Sequence, residues 1–95
     1  MKFDQAKVIA SVLKALAHPA RLRVVEALVS GPKTSADLAS SWRVGQSTMS
    51  RHLTLLVQAG IVEAHNAGQR VVYRLSQPSI LRCLSGVREL RAESR

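Results

Sequence analysis

The densest run of side chains able to bind another molecule is Gln46-Ser47-Thr48-Met49-Ser50-Arg51-His52. Hydroxyl and amide groups exchange hydrogen bonds with base edges, and an Arg suits a guanine edge or a phosphate. Wound as a helix between Gly45 and Gly60, the segment puts Met49, Leu53 and Leu56 on one apolar stripe and leaves the polar groups at its amino end, mostly off that stripe. Such a helix can anchor one face in a small core while its first turns enter a major groove. No grouping of Ser, His and carboxylate accompanies it, nor any glycine-rich phosphate loop, so catalytic residues and an enzyme are not expected.

The rest of the composition favours the same partner. The chain has 95 residues, enough for one domain near the lower end of what folds alone, so a second subunit covering apolar surface is expected. Lys and Arg number 14 against 6 Asp and Glu, a net charge of +8, which suits a polyanion. Only Phe3, Trp42 and Tyr73 are aromatic, too few for the stacking platforms of single-strand and RNA binders, and double-stranded DNA therefore leads. No run is long and apolar enough to span a bilayer, and Met1 to Gln5 lacks the apolar core of a signal peptide, so a cytoplasmic protein without a membrane partner is expected. The lone Cys83 excludes an intrachain disulfide and a thiolate cluster within one subunit; the simplest expectation is a small residue packed in a helix.

Around the central helix, five further elements must position it. Asp4 as N-cap and the spacing of Val8, Ile9, Val12, Leu13 and Leu16 predict a first helix over about 4–17, stopped by His18-Pro19. Pro19 then opens a second helix with Leu22, Val25, Leu28 and Val29 as its stripe, closed by Gly31-Pro32. Thr34-Ser-Ala-Asp37 reads as a capping box for a short third helix, ending near Trp42. The three or four residues before the next helix match a helix-turn-helix, placed over about 34–59. Two β-branched runs from Ile61 to Leu75 flank an Asn/Gly turn and predict a hairpin with Arg70 beside its tip. A last helix from about Pro78 to residue 92 carries Ile80, Leu81, Leu84, Val87 and Leu90; Ala92 to Arg95 are expected to fray. One mainly α domain over 1–95 follows, with a small β-hairpin and the order α-α-α-α-β-β-α. Its first and last helices, at about 4–17 and 78–92, carry Val8, Val12, Ile80, Leu84 and Val87 as the surface of a homodimer.

Three segments, in this order, resemble the winged helix-turn-helix repressors of the ArsR/SmtB type. Leu13-Lys-Ala-Leu-Ala-His-Pro-Ala-Arg-Leu-Arg23 is similar to the family's opening segment. Ser47-Thr-Met-Ser-Arg-His-Leu53, with Leu56 and Ala59-Gly-Ile-Val62, is similar to its recognition helix and exit, and Gly68-Gln-Arg-Val-Val-Tyr-Arg-Leu75 to its wing. The resemblance spans about residues 8 to 76; one departure is Gly45, where the family often has a Ser N-cap, at a cost of about a few tenths of a kcal/mol. It implies a homodimer whose recognition helices enter successive major grooves of a two-fold operator, with the wing over 61–75. On that reading Arg51, Arg70, Thr34 and Arg43 set register on phosphates, and Gln46, Ser47, Thr48, Ser50 and His52 face bases, with phosphate or solvent as alternatives for His52.

The resemblance also implies where a metal sensor would lie, and those positions are changed. A Cys-x-Cys before Asp-Leu is replaced by Thr34-Ser35-Ala36-Asp37-Leu38, and the stretch from Ser76 to Arg95 contains neither His nor Asp. His18, His52 and His65 have no chelating spacing, so no metal ligands and no cofactor are expected, save a site assembled between subunits. Alternatives are an oxidant- or reactive-sulfur-responsive repressor using Cys83, a winged helix serving as a protein-interaction module, and a nucleoid-type binder without sequence preference. The inducer stays open.

Overall fold

The computed structural model describes residues 1–93, with α1 (Phe3–Leu16), α2 (Pro19–Leu28), β1 (Lys33–Thr34), α3 (Ser35–Trp42), α4 (Gln46–Gln58), β2 (Val62–Ala67), β3 (Arg70–Leu75) and α5 (Ile80–Glu93). Ser94 and Arg95, within the tail expected to fray, lie outside the described residues. The five helices and the hairpin fall in the expected order, with one correction. A short β1 precedes α3 and completes an antiparallel sheet of order β1-β3-β2, pairing Lys33 with Tyr73 and Thr34 with Val72. Two residues have no readable period; this strand exists because the far edge of the hairpin offers it partners.

Each helix start has a local cause. α1 opens at Phe3 rather than after Asp4, because the Gln5 side chain accepts a hydrogen bond from the Lys2 N–H at 3.0 Å and secures an earlier turn. Asp4 then stands in the first turn, where the helix dipole favours an acid. His18 Nδ1 accepts from the Ala20 N–H at 3.0 Å and caps α2, with Pro19 in the first position. α5 begins two residues after the expected Pro78; Ile80, Leu81 and Arg82 donate to carbonyls three residues back, the tight form of a helix entry.

α4 lies at the centre of the core. Its Met49, Leu53 and Leu56 have no exposure and share a cluster with Leu16 of α1, Val24, Val25 and Leu28 of α2, and Leu38 and Ala39 of α3. Ile61 and Val62 join from the start of the hairpin. Burying each large side chain contributes about 1.5–3 kcal/mol, so the polar residues of α4 are carried by a firmly held rod. The α2 stripe differs from expectation: Val24 is inside, while Leu22 and Val29 are exposed. Apolar residues surround that short helix, and packing against α4 selects the face.

The chain leaves α4 through Gly60, whose φ of 78° is left-handed. Ile61 N–H donates to the Leu56 carbonyl at 3.0 Å and Gly60 N–H to that of Val57 at 3.0 Å, a Schellman-type stop. β2 and β3 then pair from Val62↔Leu75 to Ala67↔Arg70 around a two-residue loop. Gly68 takes the first loop position with φ 69°, where a type II′ turn wants glycine.

At the periphery, Phe3, Val8, Ile9 and Leu13 of α1 and Val87 and Leu90 of α5 expose much of their apolar surface. Val12, Ile80 and Leu84, grouped with Val8 and Val87 from the sequence, are half-buried against the protomer's own core. Cys83 is exposed, a correction to its expected packing: the core reaches only the stripe of α5 carrying Ile80, Leu81 and Leu84. Among the described residues no helix is long and apolar enough to cross a membrane.

Candidate nucleic-acid interface

α3 is held at its amino end by a reciprocal cap. The Thr34 hydroxyl accepts from the Asp37 N–H at 3.1 Å and the Asp37 carboxylate accepts from the Thr34 N–H at 3.3 Å. These bonds from Thr34, aided by the nearby Arg70 and Lys33 charges, hold the Asp37 carboxyl below the usual carboxylate range. Thr34 is also the last residue of β1, so one residue ties the sheet to the helix-turn-helix.

The turn between α3 and α4 is Arg43-Val44-Gly45. Arg43 adopts φ 54° and ψ 36°, the left-handed region that non-glycine residues avoid, and its N–H donates to the Ala39 carbonyl. Half-buried Val44 packs on the core and fixes the turn, leaving Arg43 exposed at its outside. Beside it, the Arg23 guanidinium lies 4.7 Å from the Trp42 ring centroid, a cation–π contact joining α2 to the end of α3. Gly45 begins α4 without a side-chain cap.

On α4, Gln46, Ser47, Thr48 and Arg51 are exposed, while Ser50 is half-buried. The Ser50 carbonyl accepts from the Thr54 hydroxyl at 2.9 Å. Gln46 lines a cleft of about 480 Å³ with Thr34, Ser35, Asp37, Arg70 and Tyr73. The structure thus brings together Thr34, Gln46 and Arg70, which lie far apart in the chain, at the junction of α3, α4 and the hairpin. Arg43 stands apart, at the other end of α3.

His52 differs from its α4 neighbours. It is half-buried, its ring centroid 4.6 Å from that of His18, and its Nδ1 lies 3.4 Å from an Arg21 Nη. Burial, then the charges of His18, Arg21 and Arg51, push its pKa below the ordinary 6.5. The ring therefore serves the contact of α4 with α2 and its cap, and Arg21, absent from the residues singled out in the sequence, joins it there. Only the distance between His18-Pro-Ala-Arg21 and His52 in the fold reveals this, since no spacing rule links them.

The hairpin carries its own charge network. Glu63 Oε1 lies 2.9 Å from His65 Nε2 and accepts from Arg74 Nε at 3.3 Å across the β2–β3 pair, which draws the Glu63 pKa down. Arg70 takes no part in it. Among the described residues no three His, Cys, Asp or Glu side chains converge as metal ligands do.

A helix-turn-helix domain family matches residues 16–65, more than half of the chain. The regulator Rv0081 of Mycobacterium tuberculosis is 38% identical over 88 residues, covering 90% of this chain and 76% of that protein. The chain belongs to the ArsR/SmtB-type winged helix-turn-helix transcriptional regulators. The crystal structure of Rv0081 superposes with a TM-score of 0.83 at 32% identity, covering 98% of this chain and 94% of that one. A Synechocystis homologue of the transcriptional repressor SmtB is 33% identical over 81 residues, 85% of this chain and 61% of the homologue. The homodimeric winged helix-turn-helix DNA-binding domain Mb0332 of Mycobacterium bovis, described as a possible ArsR-family regulator, matches with a TM-score of 0.83 at 29% identity, covering 95% of this chain and 83% of that one. The fold is that of a winged helix-turn-helix, with the hairpin β2–β3 following α3 and α4. Both family and fold are those of DNA-binding regulators, which are not enzymes.

Proposed function

We propose that two copies of this chain pair through α1 and α5 and act as a repressor, occupying a two-fold duplex operator with one α4 in each of two successive major grooves. The observation that carries this is the exposed run Gln46, Ser47, Thr48 and Arg51 on a helix whose opposite face is wholly buried, beside a cleft containing Thr34 and Arg70. Gln46, Ser47 and Thr48 face base edges, with Ser50 at the margin. Arg51, Arg43, Arg70 and Thr34 hold the phosphates. His52 acts behind the surface, against His18 and Arg21. The place of action is the compartment holding the genome, the cytoplasm in the bacteria of its relatives. The exposed Phe3, Val8, Ile9, Leu13, Val87 and Leu90 supply the dimer surface, and a two-fold pair spaces its recognition helices by about 34 Å, one duplex turn.

Genomic fragments selected by the protein, titrated over salt, test the proposal. Binding is expected to exceed that of unrelated duplex by about 10³-fold or more. Arg51→Ala is expected to weaken it by about 1–3 kcal/mol, and Arg70→Ala to flatten the salt slope by about one unit. Equal affinity for unrelated duplex, or no response to either change, would remove this reading.

A further inference from the structure

Arg21 occupies a junction that a DNA-reading surface does not require. Its Nε donates to the Ala15 carbonyl in the last turn of α1, and an Nη reaches His52 Nδ1, 3.4 Å away on α4. The same His52 ring leans on His18, which caps α2 through its own Nδ1. One side chain of α2 thus touches both the helix whose exposed apolar face points to self-association and the helix that reads DNA.

We propose that Arg21 and His52 are positioning residues that set the angle of α4 against α1, and that a proton on His52 releases them. The clamp deepens the function proposed above and rests on it. A guanidinium has five N–H donors and no acceptor, so it engages His52 Nδ1 only while that nitrogen carries no hydrogen. Protonation replaces an acceptor by a donor and sets a cation against a cation. The groups around His52 give no relief: the cap of α2 contributes His18, α2 contributes Arg21, α4 itself contributes Arg51, and the α1 carbonyl of Ala15 is already engaged by Arg21. Among the described residues no carboxylate bonds to His52. Burial and these cations already disfavour the charged imidazole. An imidazolium on His52 is therefore accommodated by separating α4 from the α1–α2 corner, which alters the spacing of two recognition helices in a dimer.

Reciprocity turns this into a measurable coupling. If the DNA-bound form requires the closed clamp, it holds the His52 proton less well than the free protein, and acid weakens binding. The duplex best retained in selection at about pH 8 is titrated with wild type, His52→Gln and Arg21→Lys from about pH 8 to about pH 5.5. Wild type is expected to lose about fivefold or more in affinity relative to His52→Gln over that span. Arg21→Lys keeps a donor and a charge at the junction and is expected to retain the wild-type direction. Specific binding at the upper pH tests the operator reading by itself, so the clamp can fail while that reading stands. Parallel profiles for wild type and His52→Gln overturn the clamp. A second readout needs no variant: the His52 imidazole, followed by NMR, is expected to titrate lower in the complex than in the free protein, and a rise on binding overturns the proposal.

Discussion

The Thr34 hydroxyl accepts a hydrogen bond from the Asp37 N–H at 3.1 Å while the Asp37 carboxylate accepts one from the Thr34 N–H at 3.3 Å, so each residue satisfies the other's backbone. Because Thr34 also pairs with Val72 of β3, the exchange joins α3 to the hairpin. Thr34→Ala is expected to cost about 1 kcal/mol of stability in denaturant unfolding, and Thr34→Ser to recover most of it.

The same pair predicts an acid response. The folded Asp37 pKa is depressed, chiefly by the Thr34 hydroxyl. A carboxylate of this kind adds stability that is in place above its unfolded pKa and is lost as pH falls through the lower, folded one. Neutral and mildly acidic solutions therefore leave the cap intact. In Thr34→Ala the Asp37 carboxyl is expected to titrate higher than in wild type, read by carboxyl carbon NMR.

Arg43 holds a left-handed backbone that glycine would adopt more easily. Its φ of 54° carries a penalty that glycine escapes, so Arg43→Gly is expected to stabilise the fold by about 0.5–1 kcal/mol. The same change removes an exposed guanidinium from the turn before α4. The salt slope of DNA binding is expected to fall by about one unit, so that stability and affinity move in opposite directions. A variant that is more stable and binds with an unchanged slope would take Arg43 out of the phosphate contacts.

α4 alternates buried and exposed positions along its own length. Leu53 is fully buried and Leu55 is 39% exposed, two residues further on. Leu53→Ala is expected to cost about 2–5 kcal/mol, Leu55→Ala less than about 1 kcal/mol, in chemical denaturation.

That contrast also marks what a sequence can disclose. Met49, Leu53 and Leu56 repeat at helical spacing, and the fold buries all three. Capping chemistry is equally local, which is why Pro19 and the Thr34–Asp37 box begin their helices, and Gly60 ends its own, where expected. The misses depend on what lies across the fold. β1 takes its existence from Tyr73 and Val72, the inward face of α2 from α4, and the setting of His52 from His18 and Arg21. Cys83 shows the complementary limit: helical spacing said that α5 has an apolar face but not how much of it one protomer covers.

The uncovered remainder leads to the oligomeric state. Val8 on α1 is 63% exposed and Val87 on α5 is 59% exposed, whereas Leu16, further along α1, is 3% exposed and Leu84, one turn before Val87, packs on the core. Each helix thus spends one end on its own subunit and offers the other. A carboxylate placed there meets its own two-fold mate or apolar side chains in a dimer, and neither satisfies it. Val8→Glu and Val87→Glu are each expected to weaken the dimer by about tenfold or more, about 1.4 kcal/mol, in sedimentation equilibrium. Val71→Glu, at an exposed apolar position on β3, is expected to leave association unchanged. Because the exposed ends of α1 and α5 are remote from the buried core, the Val8 and Val87 variants should unfold at the same denaturant concentration as wild type when all are compared as monomers. Loss of association together with intact folding would place the dimer surface on these two helices; unchanged dimerisation in both variants would move it elsewhere.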